Sequence, residues 1–360
     1  MRAVAVSVEF LRSTRRGDAT CHPQRGGRGR RAHVARSVIH ARFANLAALS
    51  LAACLLGGAP WARADDVSAW LARAANAARA QNYVGTIVYQ HGGHVETSRL
   101  AHIYDNGEEF DRLVSLDGPA REVIRSAGEV RCYYPDAKLV RVEPRTIRNV
   151  FPSLSSEQQQ ALAQYYDFRK AESARIAGYD AQAWVFEPKD GLRYGHKFWA
   201  ENSTGLLLKA RVLGEGGAIV EQFAFMDITI GGSVDPALVK PTWASTPPDW
   251  TLREGSSGET MARDTGWVVT RLPPGFVKIM EGFRRLRGKP DLVAHLVFSD
   301  GLVAVSVFVQ PVTSAPTHVG FSQQGGVNVF SVRQDDNLVT ALGEVPPSTV
   351  RQIASSVTHH

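Results

Sequence analysis

Cysteine is scarce in this 360-residue chain, which contains only three. Cys21 and Cys54 both lie in the first 64 residues, so Cys132 is the one cysteine in the rest, and no disulfide can form within that part. Cys132 occupies a strand-like position in EVRCYYPD, beside two tyrosines. No activating neighbour is evident there, so we expect a small buried hydrophobic residue and not a reactive thiol.

Sequence patterns that anchor common enzyme sites are also missing. There is no C-x-x-C or H-x-x-x-H pair for a metal ion and no G-x-S-x-G turn for a nucleophilic serine. His91 and His94 flank two glycines without a third ligand at a familiar spacing, which favours a hairpin turn over a metal site. In GEGGAI (214–219), Ile219 stands where a dinucleotide-binding loop needs its third glycine, so this stretch also indicates a turn.

The remaining polar clusters do not form a catalytic set. Ser299-Asp300-Gly301 lies close to His295 in the sequence, but a turn between two strands explains the triplet. Glu108, Glu109 and Asp111 follow an Asn-Gly pair, which predicts a solvated face. Because no nucleophile, base and orienting partner occur together, we expect neither an enzyme nor a bound metal or cofactor.

Lysine is absent from residues 1–64, although that segment holds eleven arginines and only two acidic residues. The formal net charge of +6 and the pI near 9.3 therefore come from this segment. Residues 65–360 carry 30 basic and 33 acidic side chains, which gives a net charge of −3. The positive charge that would favour nucleic-acid binding is missing from the main part of the chain, so we expect no nucleic-acid partner.

No apolar run is long enough to cross a membrane. The run from Phe43 to Leu56 follows a positive flank at 36–42 and precedes Ala62-Arg63-Ala64, a small-x-small cleavage site, which predicts an export signal removed after Ala64. Alternatively, LAAC (51–54) resembles a lipobox and would make Cys54 a lipid anchor. Either way we expect the mature protein to lie outside the cytoplasm. Residues 1–35 indicate an over-long start, with the true translation start somewhere in 1–42.

Residues 65–231, which follow the N-terminal extension and signal of residues 1–64, predict one large β-rich domain. An alanine-rich helix opens it, with Asp66 as its N-cap. About ten strands follow, with turn pairs such as Asn106-Gly107 and no room for crossover helices. A second short helix begins near Ser155, and a hairpin in 193–212 reverses at Gly205. These features predict a curled, open antiparallel sheet covered by helices.

A proline-rich linker is predicted at residues 232–255, which hold four prolines and little periodicity. We expect this segment to be mobile. Residues 256–360 then predict a smaller α+β domain of several strands with a closing helix from Pro346.

Aromatic side chains are concentrated on the predicted strands of the first domain. Any one of them suits the core of a sheet packed on helices. Together they suggest more, because a curled sheet of about ten strands encloses more space than two short helices fill. A concave apolar cavity in an exported protein suits acyl chains. The lipid-cavity candidates are Tyr83, Tyr89, Tyr133, Tyr134, Trp184, Phe186, Phe198, Phe223 and Phe225.

Longer stretches carry a family resemblance. YVGTIVY, DGPAREVIR, RCYYPD, RIAGYDAQAWVFEPKDGLRYGHKFWAENSTGLLLKA and EQFAFMDITIG resemble the N-terminal domain of the RseB/MucB family. LPPGF, HLVFSDGLVAVSVFV and ALGEVPPSTVRQIASSV are similar to its C-terminal domain. The resemblance covers nearly all of residues 65–360, in the right order, and leaves out only the arginine-rich extension. It implies a lipoprotein-carrier-like open β-barrel with an apolar cavity, followed by the smaller domain.

The resemblance implies binding and not catalysis. Such proteins are periplasmic negative regulators of the envelope-stress sigma-factor pathway, which hold the periplasmic segment of a membrane anti-sigma factor (RseA/MucA type) and shield it from regulated proteolysis. Lipopolysaccharide or related amphiphiles are expected to loosen that hold. Two alternatives stay open: a periplasmic lipid or lipoprotein carrier, and an envelope enzyme whose site a single sequence does not reveal. A homo-oligomer is also left open.

Overall fold

The computed structural model describes residues 64–126, 128–144, 156–243, 245–254, 261–285, 292–312 and 319–360. The predicted export signal, the alternative anchor at Cys54 and the arginine-rich segment before them lie outside the described residues. Within the described part the chain is mainly β, as predicted, with a large sheet, a separate smaller sheet and a two-stranded ribbon. Three α-helices accompany them: α1 (Ala64–Ala80), α2 (Ser156–Tyr165) and α3 (Pro347–Ala354).

Twelve strands form the large sheet. They are β1 (Tyr83–His91), β2 (His94–Asp105), β3 (Glu108–Ser115), β4 (Glu122–Arg125), β5 (Glu129–Tyr134), β6 (Leu139–Pro144), β7 (Tyr166–Ile176), β8 (Tyr179–Pro188), β9 (Gly195–Glu201), β10 (Leu207–Leu213), β11 (Ile219–Ile230) and β12 (Thr251–Glu254). Their order is β12-β6-β5-β4-β3-β2-β1-β11-β10-β9-β8-β7. Every neighbouring pair except β12 with β6 is antiparallel. The edge strands β12 and β7 do not pair with each other, so the sheet is open, as the sequence predicted.

Local turn chemistry fixes the predicted hairpins. Asn106 and Gly107 join β2 to β3 with φ angles of 49° and 88°, the positive values that a two-residue hairpin turn requires. Between β9 and β10, Gly205 has φ of 85°, and an added Cβ would lie 2.7 Å from the Arg73 side chain. Glycine is therefore required at 205, and the hairpin predicted in residues 193–212 is confirmed.

Helix α1 covers one face of the large sheet. Its buried side chains recur at helical spacing, as predicted, and three of them are alanines, which lets the helix approach the strands closely. The buried residues are Val67, Leu71, Ala74, Ala77 and Ala78. Arg73 Nη2 donates to the carbonyls of Asn202 and Ser203, which ties the helix to the β9–β10 turn. The helix already includes Ala64, so Asp66 lies inside it and is not its N-cap.

The described residues of the smaller unit form nine strands. They are β13 (Met261–Ala262), β14 (Trp267–Val269), β15 (Val277–Arg285), β16 (Leu292–Ser299), β17 (Ala304–Pro311), β18 (Gly320–Gln324), β19 (Val327–Gln334), β20 (Asn337–Gly343) and β21 (Val357–His359). Seven form an antiparallel sheet in the order β13-β15-β16-β17-β20-β19-β18, and β14 pairs with β21. Helix α3 buries Val350 and Ile353 in the core of this sheet, which confirms the predicted closing helix.

The described part of the predicted linker packs on the large sheet. The Trp243 ring stacks on Tyr133 with ring centroids 5.5 Å apart and lies 4.9 Å from the Trp250 ring. The backbone N–H of Thr242 donates to the Glu122 carboxylate at 3.1 Å, and β12 extends the sheet beside β6. The division into domains at 231 and 256 stays a prediction. The expected mobility of the whole segment does not agree with these contacts, because both tryptophans have apolar partners.

Candidate functional site

Seven of the nine predicted cavity residues lie together on the sheet face that α1 covers. Strands β1, β11, β10, β9 and β8 are consecutive in the sheet, so alternate residues along them share one face. The seven are Tyr83, Tyr89, Trp184, Phe186, Phe198, Phe223 and Phe225, all within one buried apolar cluster. The fold thus assembles these side chains from four strands, β1, β8, β9 and β11, whereas their role in lipid binding stays a prediction.

Aromatic rings and helix α1 fill this cluster. The Phe186 ring lies 4.7 Å from the Phe168 ring and 5.3 Å from the Phe198 ring, both edge to face. Trp70 of α1 covers the group, with its ring centroid 5.8 Å from that of Trp184, 6.0 Å from Phe186 and 6.2 Å from Phe198. Its buried Nε1–H has no acceptor among the described residues. An acyl chain would therefore need α1 to move away from the sheet.

Tyr133 and Tyr134 do not join this cluster, because β5 is separated from β1 by three other strands. Tyr133 is buried with Ile124 and Val140 in a second cluster, which Trp243 and Trp250 close. Tyr134, the next residue along the strand, lines a small cavity of about 140 Å³. The structure thus separates these two tyrosines from the other seven candidates.

A buried charged group lies beside this core, where a solvated face was predicted. Asp111 and Glu109 are only 7% and 4% exposed, so the prediction was wrong for both. Strand pairing explains the burial, since His102 on β2 and Arg125 on β4 lie directly opposite Asp111 on β3. Arg125 donates to the Asp111 carboxylate, and His102 Nδ1 lies 2.8 Å from it. His102 Nε2 lies 3.2 Å from the carbonyl of Arg79 in α1.

The Asp111 carboxylate is held ionised by its neighbours. Burial alone would raise its pKa, but the charges of Arg125 and His102 and their hydrogen bonds lower the pKa from 3.8 to about 2. A carboxylate with a depressed folded-state pKa stabilises the fold above its unfolded-state pKa, and that stabilisation is lost as the pH falls towards the folded-state value. The shift corresponds to about 2 kcal/mol.

We therefore expect the free energy of unfolding of Asp111→Asn to depend less on pH below pH 5 than that of the native chain. Between pH 5 and pH 2 the free energy of unfolding of the native chain should fall by about 2 kcal/mol more than that of the variant. Urea titrations at each pH measure the difference. Asp105→Asn, an exposed change on the neighbouring strand, should behave like the native chain. If the free energy of unfolding falls by the same amount between pH 5 and pH 2 in the native chain and in Asp111→Asn, the lowered pKa of Asp111 is contradicted.

A second buried ion pair joins the two units. Arg193, in the loop after β8, lies 3.0 Å from Asp300 of the β16–β17 turn, and neither side chain is exposed. The Tyr166 hydroxyl donates to the same carboxylate at 2.9 Å, and Arg193 Nη2 donates to the Pro274 carbonyl at 2.6 Å. The guanidinium also lies 5.3 Å from the centre of the Phe276 ring. Burial raises the pKa of the Asp300 carboxyl despite the arginine.

Further contacts surround this domain junction. The Thr349 hydroxyl of α3 donates to the Leu192 carbonyl at 2.7 Å, and Asn328 Nδ2 donates to the Tyr194 hydroxyl at 3.0 Å. Gly275 packs against the Tyr165 ring and has a φ of 84°. A Cβ atom added at this position would lie 2.3 Å from the ring, so glycine is required here. The predicted turn at Ser299-Asp300-Gly301 is confirmed, but its role in holding the two units together was not predicted.

The other predicted turns are also as expected. His91 and His94 end and begin adjacent strands, with their rings stacked 5.3 Å apart. Residues Glu215–Gly217 of GEGGAI form a short 3-10 turn.

Across the described ranges, no group of His, Cys, Asp and Glu side chains could hold a metal ion. No helix in the described part is long and apolar enough to cross a membrane.

Cys132 is buried in this fold, as the sequence predicted. Burial in apolar surroundings raises the pKa of its thiol to about 12. Only about one thiol in ten thousand would be ionised at pH 8. In a Cys21→Ser, Cys54→Ser background, we expect an aromatic disulfide reagent to label Cys132 only after unfolding in urea. Rapid labelling of the folded chain would contradict the burial.

Comparisons with known proteins cover both units. The family model of the MucB/RseB N-terminal domain matches residues 66–243, and that of the MucB/RseB C-terminal domain matches residues 261–358. Sigma factor AlgU regulatory protein MucB of Pseudomonas aeruginosa is 32% identical over 312 residues, covering 83% of this chain and 92% of the relative. Sigma-E factor regulatory protein RseB of Escherichia coli K12 is 26% identical over 282 residues, covering 78% and 87%.

Solved structures give the same likeness. The complex of Pseudomonas aeruginosa MucA and MucB has a TM-score of 0.64 at 29% identity, covering 82% of this chain and 99% of the matched one. A crystal structure of MucB has a TM-score of 0.57 at 27% identity, covering 82% and 98%. The relatives carry names of regulatory proteins and not of enzymes.

Proposed function

The chain belongs to the MucB/RseB family of sigma-factor regulatory proteins, and from this premise we propose that it is a periplasmic regulator of the envelope stress response. In this role it binds the periplasmic segment of a membrane anti-sigma factor and shields that segment from regulated proteolysis. An amphiphile such as lipopolysaccharide binds in the apolar interior of the large sheet and weakens the hold on the partner.

One observation carries the proposal: the likeness to MucB in its complex with MucA extends over both units of this chain. The matched region covers 82% of this chain and 99% of the chain that it matches in that complex. The domain junction supports a regulator over a simple carrier, because a carrier needs only one ligand-binding domain. Here Arg193 and Asp300 join a second unit to the first through a buried ion pair.

The amphiphile-binding step is supported by the composition of the interior under α1. Aromatic side chains from β1, β8, β9 and β11 converge there beneath one helix. An acyl chain that enters such an interior gains about 0.8 kcal/mol for each buried methylene. A few carbons therefore supply the ~1–3 kcal/mol that is typical of coupling between two binding sites. That energy affects the partner only if the lipid-bound form holds the partner less well.

Affinity purification tests the proposed function directly. The tagged native chain, recovered from envelope extract of its own cells, should retain a membrane protein with a periplasmic segment and a cytoplasmic sigma-factor-binding domain, which mass spectrometry identifies. Recovery of lipoproteins or lipids without such a membrane protein would support the carrier alternative and contradict the proposal.

A further inference from the structure

The outer face of the large sheet, away from α1, carries a cation cluster that the proposed function does not use. It consists of Lys197 on β9 with Lys209 and Arg211 on β10. Their charged groups lie 5.0, 5.1 and 5.3 Å from the centroid of the Trp199 ring. Side chains alternate along a strand, so Trp199 and Lys197 lie on the opposite side of β9 from Phe198. The Trp199 ring is itself buried, at 3% exposure, and belongs to the same apolar cluster as Phe198.

This cation cluster is electrostatically unfavourable by itself. Lys197 and Arg211 lie directly opposite each other on antiparallel strands, a position in which like charges destabilise a sheet. Glu172 pairs with Lys197 at 2.8 Å. Lys209 and Arg211 have no ion pair with any residue that the structure describes. Burial and the charges of Arg211 and Lys197 lower the pKa of the Lys209 ammonium. An added anion would relieve this repulsion.

The surroundings favour an extended anionic surface over a small enclosed anion. The backbone amides of β9 and β10 are committed to the sheet, so side chains supply the donors. On the adjacent strand β11, Ala224 lies opposite Lys209, and Met226, two residues further along, is 64% exposed. Cations beside an exposed apolar side chain are typical of protein faces that rest on lipid headgroups.

We propose that the cation cluster of Lys197, Lys209 and Arg211 docks the outer face of the sheet on an anionic phospholipid bilayer. Lipid phosphates would accept hydrogen bonds from the two ammonium groups and the guanidinium, while Trp199 holds the three side chains in one patch. The opposite face, with α1, would point away from the bilayer. This inference rests on the geometry of β9, β10 and β11 and does not depend on the identity of the protein partner.

Vesicle sedimentation tests the docking surface. The native chain should sediment with vesicles of phosphatidylglycerol and phosphatidylcholine at 50 mM salt and remain in the supernatant with pure phosphatidylcholine. The triple variant Lys197→Gln, Lys209→Gln, Arg211→Gln should lower the partition coefficient by about a hundredfold. Lys209→Gln alone, which breaks no described ion pair, should lower it about fivefold. Every chain in this test begins at Asp65, the predicted mature start, because the eleven arginines and the apolar run of residues 1–64 would bind vesicles by themselves.

A charge-matched control separates this patch from net charge. Arg99→Gln, Lys170→Gln and Arg175→Gln together remove three exposed cations from other parts of the same sheet. This control should retain anionic vesicle binding within about twofold. The proposal fails if the control loses as much binding as the cluster variant. It also fails if the native chain ignores anionic vesicles, or if 10 mM inorganic phosphate at constant ionic strength releases it from them.

Discussion

Replacing Arg193 by alanine should lower the free energy of unfolding by about 3–5 kcal/mol, because it leaves the Asp300 carboxylate buried without its cationic partner. The same change removes the hydrogen bond to the Pro274 carbonyl and the ring contacts with Tyr165 and Phe276. The two units should then unfold in separate urea transitions, since Arg193 joins them through a buried ion pair with Asp300 and a hydrogen bond to the Pro274 carbonyl. Far-ultraviolet circular dichroism and tryptophan fluorescence, followed in parallel, would measure both effects.

Arg169→Ala is the matched control. Arg169 also forms an ion pair, with Glu187 at 2.9 Å, but its side chain is 43% exposed. Exposed pairs of this kind contribute about 0–1 kcal/mol, so the control should unfold almost as the native chain does. If Arg193→Ala and Arg169→Ala lower the free energy of unfolding equally, burial of the ion pair at the domain junction adds no stability.

Phe186→Ala should cost about 3–5 kcal/mol of stability and leave an apolar cavity. Phe186 has no exposed surface and contacts aromatic rings on α1, β7 and β9. Apolar cavities of this kind stay dry and bind apolar ligands. If acyl chains enter this interior, a medium-chain fatty acid should raise the melting temperature of the variant more than that of the native chain. Thermal scans with increasing fatty acid measure the shift.

The smaller sheet provides the comparison. Phe298 is 3% exposed in the core of the C-terminal unit, so Phe298→Ala creates a similar cavity in a region with no proposed ligand. Phe298→Ala should lose about as much stability as Phe186→Ala, and the fatty acid should not raise its melting temperature. If both variants respond equally, any cavity in the protein binds the acyl chain, and the region under α1 is an ordinary core.

Local sequence patterns predicted the helices and hairpins well. They predicted the ion pairs between distant residues poorly. The α1 face and the β9–β10 hairpin follow from side-chain spacing and from a glycine at positive φ, which are properties of a few adjacent residues. Asp111 was assigned to solvent because an Asn-Gly turn precedes it. Its burial depends on Arg125, 14 residues away on another strand. Such a pairing becomes visible only when the order of the strands is known.

The contacts at the domain junction were also not predictable from local sequence. Arg193 and Asp300 are separated by 107 residues. The local sequence predicts only a hairpin that begins at Arg193 and a turn at Asp300. The nine aromatic candidates were grouped because all of them lie on predicted strands, and the structure places seven of them on one face. Alternation does not say how far β5 lies from β1 in the sheet, so Tyr133 and Tyr134 were grouped with them. The packing of Trp243 on Tyr133 likewise depends on a chain path that proline content alone does not predict.

The affinity of the purified native chain for the periplasmic segment of its anti-sigma factor, with and without lipopolysaccharide, tests the account most directly. Isothermal titration calorimetry should show binding without the amphiphile and an affinity about 5–150 times weaker when lipopolysaccharide is saturating. Trp184→Glu, provided that circular dichroism shows it folded, should bind the partner with an affinity that lipopolysaccharide does not change. No binding of the segment, or one affinity for the native chain in both conditions, would contradict the account.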